Sequence, residues 1–435
     1  MEFDDELIAS NLMIAIAEGL YPDPRDVLRE YIQNAYDTPA LAQNVHIIVK
    51  KDGDIIIRDD GSGMTRDELR MALGVGLRLK TNDSVGRYGV GIWSGIAVCD
   101  EIQITTRKQG TNVICKIWIN GGEIRRRALE NKPLLGFLSE NTTDIEEEIV
   151  PEESDGFTEI CLKQVMTHYR NNYLNATAIC NYISSNIPVA LSDDFEHKEA
   201  LERQFNEEIF RSIKVFVNKE EIRRLEGVKT KVRAPSIGFI RVGERQIAKY
   251  WISLNKTHET LASKIEGICF KSKGFTVGDK AYVLSARQST IFHKRWVGEI
   301  HVLTDYLRPN APRDSFLPAP ILDEFMVEVG KILTRLETIT GYVSVNISKP
   351  NKAMGKLTSD RTESRTSSIT HLKKLQIAER STTKTMDKYP EFKQLLSELD
   401  SEAKDIQAKV TDKIKELERS QSDPDLSLAN RREVI

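Results

Sequence analysis

Between Arg29 and Asp37 the chain reads Arg-Glu-Tyr-Ile-Gln-Asn-Ala-Tyr-Asp. Wound as a helix, this puts Glu30, Asn34 and Asp37 at i, i+4 and i+7, an arc of roughly 60° on one face. Those residue types suit one chemistry. The amide oxygen of Asn34 can complete the octahedron of a Mg2+ ion otherwise held by phosphates and water. A carboxylate one turn earlier can orient or deprotonate a water aimed at a terminal phosphate. A solvated stripe on an ordinary amphipathic helix has the same spacing, so this helix alone leaves both readings open.

Two glycine-rich stretches follow in order. Asp59-Asp60-Gly61-Ser62-Gly63-Met64 runs on from an apolar strand, Asp54 to Arg58. Glycines at alternate positions let the backbone approach a flat ligand. An aspartate at the end of a buried strand can accept a hydrogen bond from an exocyclic amine such as adenine's. A plain strand-to-helix turn explains the same residues. Further on, Gly86-x-x-Gly89-x-Gly91 opens an apolar helix, Ile92 to Val98. Bare N–H groups and a helix N-terminus there suit negative charge, although a helix-packing turn looks alike when read singly. The polar stretch from Lys80 to Val85 between the glycine runs reads as a lid.

The surrounding pattern supplies the frame. Residues 5–19 are helical by period, Asp23-Pro24 starts the Glu30 helix, and Val45–Val49 and Asp54–Arg58 form a hairpin across Asp52-Gly53. Thr65 and Glu68 make a capping box. Strands are expected at Glu101–Arg107, Val113–Asn120 and, across Gly121-Gly122, Glu123–Arg127. Residues 128–155 read as an acidic, strand-poor surface insertion, and Gly156–Leu162 closes the sheet. With 435 residues the chain exceeds a single core, and 62 Lys and Arg against 65 Asp and Glu argue against a dedicated electrostatic DNA binder, though not against a local basic patch. The five cysteines lack paired metal spacing, so reduced thiols are expected. The acidic start and the absence of a membrane-length apolar run predict a soluble, cytoplasmic protein.

Glu30/Asn34/Asp37, then Asp59-x-Gly61-x-Gly63, then Gly86-x-x-Gly89-x-Gly91, then a late Gly-x-Thr strand together resemble the GHKL ATPase superfamily. That group includes gyrase-type topoisomerases, ninety-kilodalton heat-shock chaperones, histidine kinases, MutL and MORC proteins. The resemblance implies an α+β, Bergerat-type fold: a mixed, mostly antiparallel sheet with helices on one face and ATP between helices and lid. It implies that Glu30 is the general base or the water-orienting residue and that Asn34 ligates Mg2+. Asp37 counts with the nucleotide-binding residues. Asp59 binds the adenine amine, and Gly61, Gly63 and Met64 line the base pocket. Lys80, Gly86, Arg87, Tyr88, Gly89, Val90 and Gly91 hold the phosphates. Thr158 stands beside Asp59, although Phe157 separates it from Gly156 where relatives often have Gly-Thr directly. His46 is the first histidine, so no phosphoacceptor helix precedes the Asn34 helix, against a histidine kinase.

Domains are expected at residues 1–185 (ATPase), 186–347 (a ribosomal-protein-S5-like transducer), 348–384 (a basic, flexible linker) and 385–435 (an amphipathic helical or coiled-coil arm with a disordered tail). In the second, strands are expected at Ser212–Asn218, Ser236–Val242, Ala248–Leu254, Lys264–Phe270 and Gly298–Val302, and helices at Gln288–Val297 and Pro320–Thr340. Leu307-Arg308-Pro309-Asn310-Ala311-Pro312-Arg313-Asp314 resembles the chaperone middle-domain segment whose arginine reaches the γ-phosphate. Arg313 is thereby the candidate catalytic arginine, with Pro312 and Asp314 as departures. Arg287, Lys271 and Lys273 are weaker alternatives, and a proline-rich surface loop remains the plain reading. The resemblance implies a slowly hydrolysing, chaperone-like switch whose ATPase domains form an ATP-dependent homodimer around a client protein. A MORC- or MutL-like nucleic-acid clamp, or a scaffold working with a separate effector, is the alternative. No membrane role is expected.

Overall fold

Alternation of buried and exposed residues builds the sheet on which everything else is mounted. The computed structural model describes residues 8–37, 39–76, 85, 89–205, 209–226, 231–262, 265–287, 293–359, 370, 372–373 and 389–422. The chain divides into two compact units. The first is Met1–Lys229 with Phe270–Asp279 and Asp305–Pro318; the second is Thr230–Cys269 with Lys280–Thr304 and Ala319–Ile435.

In the first unit β1 (Asn44–Val49) and β2 (Ile55–Asp59) form the expected hairpin, pairing Val45 with Asp59 and Val49 with Ile55. β3 (Cys99–Arg107), β4 (Thr111–Asn120), β5 (Glu146–Ser154), β6 (Phe157–Val165), β7 (Lys214–Val217) and β8 (Glu220–Ile222) complete an eight-stranded sheet. Its order is β5-β4-β3-β6-β2-β1-β7-β8, antiparallel throughout except where β1 and β7 run parallel. The expected α+β architecture with a mixed, mostly antiparallel sheet is therefore present. Val45, Ile47, Ile55, Ile57, Ile102, Ile104, Ile117 and Leu162 point to one face, into the core shared with Val27, Leu28, Tyr31, Ile32 and Ala35 of the helix Asp26–Tyr36. Period-2 and period-3.6 patterns thus meet along one seam.

Four expectations for this unit need correction. Glu123–Arg127 is not a strand but part of a helix, Gly121–Arg127. The Asn120 side chain caps it by accepting the Glu123 N–H at 3.0 Å, and a Cβ on Gly121 would lie 2.9 Å from the Cys99 carbonyl. The glycine pair permits close packing rather than a hairpin turn. Residues 128–155 are not strand-poor: Glu146–Ser154 is the edge strand β5, and the helix Leu134–Glu140 buries Leu134, Phe137 and Leu138. Charge concealed the strand, because an edge exposed to water carries charged residues that discourage pairing with other chains. The strand expected to open the second domain, β7, belongs to this first sheet, with Val215 and Val217 buried beside β1. Finally, Gly91–Ala97 is a tight 3₁₀ helix rather than an α-helix.

In the second unit β9 (Ser236–Val242), β10 (Arg245–Leu254) and β11 (Trp296–Val302) run antiparallel in the order β11-β10-β9. Trp296 and Val297, expected in a helix, start β11, a strand buried along its whole length. The helix Pro320–Val343 buries Phe325, Val329, Leu333, Leu336 and Ile339. The stretch Lys349–Ser359, expected in the linker, is helical. The expected C-terminal amphipathic helix is present as Lys393–Ser422. Its apolar seam (Leu395, Leu396, Leu399, Ile406, Val410 and Ile414) is buried within the unit, and Glu402 joins it to Arg233 and to His258, 3.1 Å away. A heptad-like seam specifies burial without saying against what. The five cysteines are free thiols. Among the described residues no helix is long and apolar enough to cross a membrane.

Candidate nucleotide site

The helix Asp26–Tyr36 turns its apolar stripe into the core and leaves Glu30 and Asn34 on a cavity of about 380 Å³. The cavity is also lined by Asp59, Gly63, Met64, Gly89, Val90, Gly91 and Thr158, so two distant glycine motifs and one helix face do converge. Tyr31 fixes the 3₁₀ helix from below: its hydroxyl accepts the Gly95 N–H at 3.0 Å and lies 3.4 Å from the Ile92 carbonyl.

At one end stand Glu30, Asn34 and Gly91. A Cβ on Gly91 would lie 3.1 Å from Glu30 Oε2 and 3.5 Å from Asn34 Nδ2, so bare backbone faces both side chains. Glu30 Oε1 is 3.5 Å from an Arg29 nitrogen. Arg29 is buried, donates to Asp26 at 2.8 Å and to the Pro312 carbonyl at 3.1 Å. Asp26 also accepts the Tyr182 hydroxyl at 2.6 Å. Burial pushes the Asp26 carboxyl up, and the Arg29 charge pulls the other way.

At the other end, β2 and β6 bring Asp59 opposite Thr158. Asp59 Oδ1 accepts the Gly61 N–H at 2.9 Å. Burial pushes its carboxyl up to about 6, with the Gly61 and Thr158 amides opposing the shift. Gly63 sits at φ +60°, and a Cβ there would run into the Arg107 carbonyl, so both conformation and space demand glycine. The Met64 N–H donates to Thr106 Oγ1 at 2.9 Å. Thr65 and Glu68 form the expected capping box behind this turn.

Not every expected residue is at the cavity. Asp37 lies past the last helical residue in an extended conformation, and its buried carboxylate accepts the Val85 N–H at 2.7 Å. The i+7 spacing fails because the helix stops one residue short of it. Gly61 supports the turn rather than the cavity wall. Lys80, Gly86, Arg87 and Tyr88, with the lid as far as Ser84, lie outside the described residues. Arg313 has φ +59° in the turn Asn310–Ser315, is buried, donates to the Ser272 carbonyl at 3.2 Å and packs 5.7 Å from the Phe275 ring centroid. From that turn it is Ala311 that lines the cavity. Lys271 donates to the Ser185 carbonyl and Thr276 Oγ1, both at 2.8 Å, and Arg287 pairs with Glu337 at 2.6 Å. Sequence reasoning passed over Arg29, which stands next to Glu30 in the same motif, and Thr106, whose role comes from strand register alone.

A magnesium ion fits the donors present. Asn34 offers one neutral oxygen beside the Glu30 carboxylate, and the glycine cradle at Gly91 leaves room that a Cβ would fill.

Residues 23–142 match the family described as Histidine kinase-, DNA gyrase B-, and HSP90-like ATPase. The chaperone protein HtpG of Rickettsia rickettsii (strain Sheila Smith) is 34% identical over 143 residues, 26% of this chain and 22% of that protein. HtpG of Rickettsia typhi is 35% identical over 135 residues, 24% of this chain and 21% of the relative. HtpG of Gluconobacter oxydans is 30% identical over 142 residues, 26% and 22% of the two chains. The match therefore spans about a fifth of the length of these relatives. Residues 23–142 are thus similar to a GHKL-type, HSP90-like ATPase domain.

Proposed function

We propose that this chain is a slow, Mg-dependent ATPase that uses nucleotide binding as a conformational switch. The observation that carries the reading is the juxtaposition of Gly91 with Glu30 and Asn34 at one end of a cavity whose other end holds Asp59 opposite Thr158. Asp59 accepts the exocyclic amine of adenine, and Met64 and Gly63 pack against the ring. The triphosphate runs toward Gly89–Gly91. Asn34 ligates the magnesium ion, which when bound neutralises phosphate charge. Glu30 orients a water for in-line attack on the γ-phosphate and takes its proton. The Arg29 guanidinium, 3.5 Å away, steadies the Glu30 carboxylate.

Of the two uses left open by the sequence, the chaperone-like one has the HtpG relatives behind it. In this reading ATP brings two ATPase domains together and hydrolysis lets them part, acting on a client protein in the cytoplasm. Titration calorimetry with ATP, on wild type and Asp59→Asn, tests the base end. Solution mass with ATP and with ADP tests the dimer. Binding lost in the variant and a mass doubled only by ATP are expected. Unchanged affinity in Asp59→Asn refutes the assigned binding mode, and a constant mass refutes the dimer.

A further inference from the structure

We infer that Thr106, behind the cavity wall, is a specificity-determining residue: it holds the Thr158 hydroxyl as an acceptor toward the ligand, so that the wall selects a 6-amino purine over a 6-oxo purine. This deepens the proposed ATP site and rests on that reading.

Thr106 is fully buried, and a threonine hydroxyl has one proton and two lone pairs. The proton goes to the Phe157 carbonyl, an acceptor only, at 2.8 Å. One lone pair takes the Met64 N–H at 2.9 Å. Thr158 Oγ1 is 3.3 Å from Thr106 Oγ1. Since the Thr106 proton is already committed, Thr158 donates in this contact. Its hydroxyl proton points to the back of the wall and its lone pairs are left for the cavity it lines.

The neighbouring donors are committed as well. The Gly61 N–H goes to Asp59, and the Met64 N–H goes to Thr106. Asp59 and Thr158, opposite each other across β2 and β6, then present acceptors side by side. A 6-amino group donates to that pair. A 6-oxo group meets oxygen lone pairs, and buried polar atoms left unpaired discriminate strongly.

Calorimetric titration of the full chain with ATP and with ITP tests this, using wild type, Thr106→Val, Thr106→Ser and Thr158→Val. Wild type is expected to prefer ATP by about 100-fold, Thr106→Ser to keep that ratio, and Thr106→Val and Thr158→Val to lower it to about 10-fold or less. In Thr106→Val the Thr158 proton is released and can turn toward the 6-oxo group. A merely structural role for Thr106 weakens both nucleotides together and leaves the ratio unchanged; that result overturns the inference. Should Thr106→Val fail to fold, an unchanged ratio in Thr158→Val overturns it equally. If wild type binds neither nucleotide, the proposed ATP site falls rather than the role of Thr106.

Discussion

The two ends of the cavity are built by different means. The base end is made by strand register. Asp59, Thr158 and Thr106 sit on three strands of one sheet, and a web of hydrogen bonds to backbone amides and one carbonyl fixes each polar atom. The phosphate end is made by one helix face and one bare glycine, with Glu30 steadied by an arginine that also grips the Pro312 carbonyl. Register cannot slip by one residue without turning every side chain over, so the first end is rigid and selective. The second end rests on a turn of helix, the Arg29–Glu30 pair and the close approach of Gly91, which suits a site where charge must be rearranged. In the proposed function, affinity and selectivity reside at Asp59, and turnover at Glu30.

Substitutions at the two glycines separate the ends. Gly63→Ala forces a left-handed residue against the Arg107 carbonyl, and about 3 kcal/mol of stability is expected to go with it, read by chemical denaturation; nucleotide affinity falls in parallel. Gly91→Ala puts a methyl against Glu30 and Asn34. Turnover is expected to drop about tenfold or more, with ATP affinity changed much less, because displacing a catalytic group slightly costs more in rate than in binding. If Gly91→Ala instead lowers affinity and leaves kcat alone, the division between the ends is wrong.

Acidity sharpens the same contrast. The Asp59 carboxyl is pushed up to about 6, chiefly by burial. Only its charged form accepts the amine fully, so ATP affinity should fall about tenfold per pH unit below about 6. Stability of the nucleotide-free chain moves the opposite way at this group. A carboxyl raised in the fold holds its proton more tightly than in the unfolded chain, so its contribution improves as pH falls through 6 toward 4. Calorimetry at several pH values and denaturation of the apo chain read the two signs. The smallest effect on the cavity is expected from Arg313→Ala. The guanidinium packs on Phe275 and donates to the Ser272 carbonyl, so affinity and turnover should stay within about twofold while stability falls by about 1–3 kcal/mol. A large loss of turnover would restore Arg313 to the catalytic role that its motif suggests.

Much of the first unit was legible in the sequence, and the particulars say why. Glu30 and Asn34 were found by helical spacing, and the β1–β2 hairpin by alternation and Asp52-Gly53, because local geometry fixes both. Asp37 was misplaced because spacing cannot tell where a helix stops. The helix Gly121–Arg127 was hidden by a glycine pair that serves packing, and β5 by the charges that protect an edge. Thr106 left no local signal at all. Its partners, Met64 and Phe157, are 42 and 51 residues away in the chain and meet it only through β3 and β6. The Lys393–Ser422 helix displayed its seam plainly, but not that its own unit would bury it.

In the proposed site Glu30 serves chemistry and not binding. ATP turnover and ATP affinity, measured side by side for wild type and Glu30→Ala, separate the two. Turnover lowered by about 100-fold or more, with affinity within a few-fold of wild type, is expected. Turnover that persists in Glu30→Ala, or affinity and turnover lost together, would contradict that role.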